Sequence, residues 1–271
     1  MVNWADPQHL ALQAQALGRM DLVLLGAFTW EYLQTLWFEW SLLARKVSFK
    51  WAYIPYFIGR YITLVLLATT VSLDTNTHPL NCAAAYRFVN FAGAVGASCA
   101  TLNLLIRTLV LWRHNKWVRG VLYVALLGHW TLVFMTLVHQ RAVWNPMALS
   151  CTAIFADRTQ LLAQFLYTFI FDLVILILTL VALTRDRSPS KLWLKLYTQG
   201  IGYFFVASCA SVAPAVLIIM ALSPLMDIIA IGPALTISVI ASSRAVLSLL
   251  DQAVPESTVY VFSYNPARSF C

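Results

Sequence analysis

Six charged side chains fall inside long apolar stretches of the chain, where a charge is costly. An ionised group at the centre of a bilayer costs about 2.5–3.5 kcal/mol on insertion scales, so it usually marks a site or a buried ion pair. Counting along each stretch predicts a middle layer and a second layer nearer the cytoplasm. The middle layer holds Glu31, Arg60 and Asp172, and the inner layer holds Glu39, Arg107 and Arg244. Because each layer contains both signs, we expect mutual pairing.

These layers have two interpretations. In the functional one, the middle layer is a polar ligand or catalytic site, and the inner layer is a lock whose opening signals or gates. Catalysis would make Glu31 or Asp172 an acid that protonates a hydrophobic substrate, while Trp30, Trp37 and Phe38 stabilise the resulting cation. In the structural one, both layers are ion pairs that fix helix register, or the inner charges reach toward the membrane surface instead.

Two of the five cysteines, Cys82 and Cys151, precede the third and the fifth apolar stretch on the predicted outer side. An oxidising compartment would join them and pin the second outer loop to the third helix. The alternative is two free thiols.

The chain lacks motifs for metal or cofactor chemistry. It contains no HExxH, GxSxG, CxxC or phosphate-binding glycine loop. His129 and His139 lie too far apart along one helix to share a coordination shell, and satisfied polar histidines explain them better than a metal does. We therefore predict no metal and no cofactor.

The composition and the apolar stretches predict which elements carry these residues. Of 271 residues, 61% are hydrophobic and 11% are charged, whereas soluble domains carry roughly 25% charged residues. Seven apolar stretches are long enough to cross a bilayer, at about 21–43, 51–73, 87–112, 120–139, 161–184, 196–221 and 228–250. The fold class is therefore predicted as all-α, a polytopic bundle of seven transmembrane helices.

Lys and Arg concentrate in alternate connections, which predicts the orientation of the bundle. The connections after the first, third and fifth stretches are basic, and the others are poor in Lys and Arg. By the positive-inside rule the N-terminus lies outside and the C-terminus inside. This asymmetry explains the net charge of +7 without a nucleic-acid partner. The predicted domains are an outer segment 1–20, a membrane domain 21–250 and a cytoplasmic tail 251–271.

Small residues indicate which helices pack most closely. They cluster at 92–98 in the third stretch and at 207–211 in the sixth. Small side chains let helix backbones approach each other, so we expect these two helices at the centre of the bundle.

Several short motifs together resemble a known family. They are Trp30-Glu31-Tyr32-Leu33, Trp37-Phe38-Glu39-Trp40, Gly59-Arg60-Tyr61-Ile62, Cys82 with Tyr86-Arg87-Phe88, Leu105-Ile106-Arg107 and Ser242-Ser243-Arg244. Over most of residues 20 to 250 the chain resembles an uncharacterised family of fungal, mushroom-type seven-helix membrane proteins, described only as a domain of unknown function. The resemblance implies the topology, a fungal origin, and that Arg60, Arg107 and Arg244 are family features. It implies no activity.

Three functions fit these observations. The first is a receptor-like sensor with a central polar pocket, in the plasma membrane or the endoplasmic reticulum, whose partners are membrane lipid and a small hydrophobic ligand. The alternative is a membrane enzyme that acts on a hydrophobic substrate by terpene-cyclase-like acid catalysis, with Glu31 and Asp172 as candidate catalytic residues. The third is a scaffold that has buried ion pairs and no site.

Overall fold

The structure, a computed structural model, describes residues 7–44, 51–76, 81–139, 141–145, 150–155, 158–185, 191–220 and 224–253. These residues form seven long helices, one short helix and one hairpin. In chain order they are α1 (Pro7–Leu43), a 3-10 turn (Trp51–Tyr53), α2 (Ile54–Thr75), α3 (Cys82–Leu111), α4 (Lys116–His139), β1 (Arg141–Asn145), β2 (Ser150–Phe155), α5 (Arg158–Arg185), α6 (Lys191–Met220), α7 (Pro224–Ile229) and α8 (Ile231–Ala253).

Five helices are long and apolar enough to cross a membrane. They include most or all of α2, α3, α4, α5 and α8, and they confirm a membrane-type helical bundle at five of the seven predicted stretches. The first stretch also forms a helix, but α1 carries Glu31 and Glu39 and is less apolar. In α6 the described apolar segment is Phe205–Met220. Crossing by these two helices, and hence a total of seven spans, stays a prediction.

The outer faces of the bundle are strongly apolar. Large side chains such as Val23, Trp40, Val124 and Leu127 are more than two-thirds exposed. In water such a surface would drive association, whereas acyl chains would cover it at no cost. The exposed faces therefore agree with a bilayer as the surrounding solvent.

The centre of the bundle lies between α3 and α8. α8 packs against α1, α2, α3, α6 and α7, and α3 packs against α2, α4, α5 and α8. The expectation of a central third helix therefore agrees with the packing. The expectation of a central sixth helix does not agree with the packing, because among the described residues α6 packs mainly on α5, α7 and α8. α8 has its own set of small buried residues, which allow the close approach: Ala234, Ala241, Ser242, Ser243 and Ala245.

Two elements depart from the predicted boundaries. α1 begins at Pro7, inside the predicted outer segment 1–20, so one helix runs through the boundary at residue 21. The connection between α4 and α5 forms an antiparallel hairpin in which β1 pairs with β2, and β1 packs on α3. The tail beyond Ala253 lies outside the described residues.

Candidate functional site

The first ion pair joins α1 to α8. Arg244 donates from Nε and Nη2 to the two carboxylate oxygens of Glu31, at 2.7 and 2.6 Å. This forked geometry is the strongest that a guanidinium and a carboxylate can form. Gln34 accepts a further bond at 3.4 Å, and Tyr203 on α6 lies close enough to Arg244 to interact with it electrostatically. The side chain of Glu31 is 14% exposed and that of Arg244 is 43% exposed.

The second ion pair joins α1 to α2 and is more deeply buried. Nη2 of Arg60 lies 3.5 Å from Oε1 of Glu39, with side-chain exposures of 3% and 11%. Arg60 also donates to the Tyr56 hydroxyl and, at 3.1 Å, to the Tyr32 carbonyl. Its guanidinium carbon lies 4.8 Å from the ring centroid of Tyr32 and 5.1 Å from that of Tyr56, so cation–π contacts support the charge on two sides.

Tyrosines complete this second cluster, and sequence reasoning missed them. Oε2 of Glu39 accepts a hydrogen bond from Tyr61 at 2.6 Å and a longer one from Tyr32 at 3.4 Å. Tyr56 stands four residues before Arg60, and side chains at that spacing share a helix face. The four-residue spacing of Tyr56 and Arg60 is therefore the sequence signal that indicates Tyr56 as a partner of Arg60.

The structure pairs the charges across the two predicted layers. Glu31 of the middle layer meets Arg244 of the inner one, and Arg60 of the middle layer meets Glu39 of the inner one. The layer assignment was wrong on this point because a residue's position in its helix fixes neither the tilt of that helix nor its offset along the bundle axis. The expected mutual pairing is present for these four residues.

The remaining two charges have no ion-pair partner in the part of the chain that the structure describes. Asp172 is 5% exposed and accepts one hydrogen bond, from Thr101 at 3.3 Å. Arg107 has two buried nitrogens, Nε and Nη2, that no described group satisfies. Asp172 and Arg107 therefore belong to neither ion-paired cluster.

A polar network between α3, α4 and α5 surrounds His129, which is 2% exposed. Ser98 lies 3.2 Å from Nε2 of His129, and Thr168 lies 3.4 Å from Nδ1. The Thr168 hydroxyl donates to the Gln164 carbonyl at 2.9 Å, so it accepts from Nδ1–H and leaves Nε2 to accept from Ser98. His129 thus has hydrogen-bond partners on both nitrogens, as expected for a satisfied polar histidine. The His139 side chain lies outside the described residues.

Cys82 begins α3, and its side chain is buried. Cys151 lies in β2 opposite Trp144 of β1, and β1 packs on α3. The Cys151 side chain is outside the described part of the chain, so the pairing of Cys82 with Cys151 stays a prediction. Cys99 and Cys209 are free thiols.

None of the six charged residues lines either of two grooves that open between the described helices. The larger, of about 380 Å³, lies between α1, α6 and the α7–α8 region and has an almost wholly apolar lining: Met20, Ala210, Ala213, Ile229, Ala230, Pro233, Ala234 and Ile237. The smaller, of about 160 Å³, lies between α4 and α5 and includes Met135, Thr136 and Ala163. The predicted central polar pocket corresponds to neither groove.

Comparison with known proteins adds no homologue: no family model, curated protein or solved structure matches the chain. The resemblance to the fungal seven-helix family therefore stays a prediction. Any function has to be argued from the geometry above.

Proposed function

We propose that the chain is a receptor-like membrane sensor in which a hydrophobic molecule in the larger groove controls the Glu31–Arg244 ion pair. One observation carries the proposal: the groove and the ion pair share the same faces of the same helices. The groove would receive the ligand, and the ion pair would report its presence.

Helical register links the two features on α1 and α8. Met20 lines the groove, and Glu31 follows it eleven residues later. Eleven residues make about three turns, so the two side chains point the same way roughly 16 Å apart along α1. Pro233 and Arg244 have the same separation on α8. Groove and ion pair therefore lie along one seam between these helices.

α6 forms the third wall of the seam, and the same helical spacing applies to it. Ala210 of α6 lines the groove, and Tyr203, which reaches Arg244, lies seven residues before it. Seven residues are about two turns, so both side chains again share a face. A molecule that wedges α6 away from α8 at the groove would thus pull on the Tyr203–Arg244 contact at the other end.

The lining of the groove indicates the class of ligand. Its volume of about 380 Å³ falls within the roughly 300–1,000 Å³ range of small-molecule sites. Alanine, isoleucine, methionine and proline offer no directional polar contact, so the fitting ligand is a small hydrophobic molecule that enters from the bilayer. Membrane lipid is the natural competitor for the same space.

The alternative, a membrane enzyme, stays a prediction that no described contact favours. Both carboxylate oxygens of Glu31 accept hydrogen bonds from Arg244, and Glu31 lines neither groove. Asp172 does not line either groove. Trp30 and Trp37, expected to stabilise a cation, are 65% and 52% exposed on the outer surface of the bundle.

The proposal includes the topology predicted from the basic connections: seven spans, an outer N-terminus and a cytoplasmic C-terminus, in the plasma membrane or the endoplasmic reticulum. It also includes a disulfide between Cys82 and Cys151, which would hold the hairpin against α3. The ligand then enters the outer half of the seam, and the ion pair lies nearer the cytoplasm.

Native mass spectrometry, followed by lipid extraction, tests ligand binding on protein purified from its own membrane. Wild type is compared with Ala213→Phe, which fills the larger groove, and with Ala163→Phe, a matched substitution in the smaller one. We expect a hydrophobic molecule in wild type and in Ala163→Phe, and its loss from Ala213→Phe. An empty wild-type protein, or equal retention in both variants, contradicts a ligand in the larger groove.

A second experiment measures whether the larger groove is coupled to the Glu31–Arg244 ion pair. An environment-sensitive fluorophore on Ser248→Cys, in a Cys209→Ser background, reports on the end of α8 that follows Arg244. We expect Ala213→Phe and Glu31→Gln to shift its emission in the same direction, and Ala163→Phe to leave it unchanged. If filling the larger groove displaces the ligand but leaves the emission unchanged, the groove does not control the ion pair.

A further inference from the structure

Arg107 is a cation without a counterion among the described residues. Its Nε and Nη2 atoms are buried and have no hydrogen-bond partner there, and no carboxylate of the described residues forms an ion pair with it. Burying guanidinium nitrogens without an acceptor or a counterion is destabilising. The Arg107 side chain as a whole is partly exposed, so these two nitrogens are open to an acceptor from outside the described residues.

Packing contacts locate Arg107 on a defined face of α3. A Cβ added at Gly96 would meet Thr63 of α2 at 2.8 Å and Leu235 of α8 at 3.4 Å. Arg107 follows Gly96 by about three turns, so it points toward the same two helices at the end of α3 nearest the basic α3–α4 connection. Tyr56 of α2 and Leu247 of α8 belong to one buried cluster, so these two helices also pack in a common core.

Asn103 restricts the chemistry of the missing partner. It precedes Arg107 by one turn on the same face, is 4% exposed, and its Oδ1 has no donor among the described residues. The guanidinium needs acceptor oxygens, and Oδ1 needs a donor. A carboxylate supplies only acceptors. A phosphate that carries its own P–OH, or a hydroxyl beside it, supplies both.

We propose that Arg107 and Asn103 form an anion site at the inner ends of α2, α3 and α8, which takes a phosphate group bearing an adjacent hydrogen-bond donor. Inorganic phosphate and the headgroup of an anionic phospholipid such as phosphatidylglycerol share this chemistry. The site is separate from the larger groove and does not depend on the sensor proposal.

Thermal unfolding of the delipidated full chain in mild detergent tests the site. The probes are inorganic phosphate, with sulfate as the donor-free ion at equal ionic strength, and short-chain phosphatidylglycerol, with phosphatidylcholine as its counterpart. We expect phosphate or phosphatidylglycerol to raise the Tm of wild type more than its counterpart does. Stabilisation by phosphate identifies a soluble source, and stabilisation by phosphatidylglycerol alone identifies a lipid source.

Variants separate this site from general attraction to basic loops. Arg107→Gln and Asn103→Leu should each weaken the apparent affinity about tenfold or more, as expected when one side of a buried charged contact is lost. Arg113→Gln removes an exposed charge from the neighbouring α3–α4 connection and should keep the wild-type affinity for the probe. Without any probe, Arg107→Gln should melt at or above the wild-type Tm, because it removes an uncompensated charge. Equal stabilisation of wild type and Arg107→Gln, or no stabilisation of wild type by either probe, overturns the proposal.

Discussion

Glu39→Gln should destabilise the protein more than Glu31→Gln, although the Glu31 pair has the shorter contacts. Losing Glu39 leaves the Arg60 guanidinium, which is 3% exposed, as a buried cation without a carboxylate. Losing Glu31 leaves Arg244, which is 43% exposed and can turn its charged end toward the membrane surface. Burial, and not the N–O distance, decides the order.

The expected magnitudes differ enough to be measured. Breaking a buried pair costs about 3–5 kcal/mol, and the Arg60 contacts with Tyr32 and Tyr56 place Glu39→Gln near the lower end, at about 3 kcal/mol. Partly exposed pairs contribute about 1 kcal/mol or less, which sets the cost of Glu31→Gln at about 1 kcal/mol. Replacing both members of the buried pair, in Glu39→Gln with Arg60→Met, should recover at least half of the loss.

Reversible unfolding by SDS in mixed micelles gives these free energies. The double-mutant cycle over Glu39 and Arg60 isolates their coupling, and a parallel cycle over Glu31 and Arg244 supplies the comparison. A Glu31→Gln variant at least as destabilised as Glu39→Gln would refute the reasoning, because the short contacts would then outweigh burial. A double variant no more stable than Glu39→Gln alone would show that the uncompensated cation is not the source of the loss.

Two further substitutions test the packing and the isolated carboxyl. A Cβ added at Gly128 would lie 2.5 Å from the Tyr167 hydroxyl, which donates to the Ala125 carbonyl, so Gly128→Ala should lower stability by about 1–3 kcal/mol in the same SDS assay. Gly120→Ala on the same helix has nothing within 4 Å of the new Cβ, and equal destabilisation of both variants would contradict the steric explanation. Asp172→Asn keeps an acceptor for its one described hydrogen bond and removes a buried carboxyl that has no described ion-pair partner. It should therefore lower stability by less than about 1 kcal/mol or raise it, and a loss above about 2 kcal/mol would reveal a cation bound to the carboxylate.

The sequence predicts the helices well because apolar length is a local property. All seven predicted stretches lie within or closely overlap helices, and charges inside apolar runs correctly mark Glu31, Glu39, Arg60 and Arg244 as members of ion pairs. Which acid meets which base depends on helix tilt and rotation, and no single helix encodes these. The partners were therefore assigned to the wrong layers.

Two further differences between the predicted and the observed fold, the hairpin and the central helix, also have physical causes. The β1–β2 hairpin lies in a connection that is poor in Lys and Arg. That charge pattern predicts the side of the membrane on which the connection lies, and it carries no information on strand pairing. Small residues in the sixth stretch predict a central helix, but α8 is the more central one. Its buried Ser242 and Ser243 are small residues of the same kind. Small residues report close approach, but the number of neighbouring helices is a property of the assembled bundle.

α1 connects the two ion pairs mechanically. Its 37 residues make a rod about 55 Å long, longer than a hydrocarbon core of roughly 30 Å, so an α1 that crosses the membrane would extend past that core or tilt steeply. Glu31 and Glu39 project from this rod about 80° apart, one toward α8 and the other toward α2. Twisting the rod in either direction would strain both pairs at once. A force applied to one end of α1 would therefore act on the contacts with α2 and α8 at the same time.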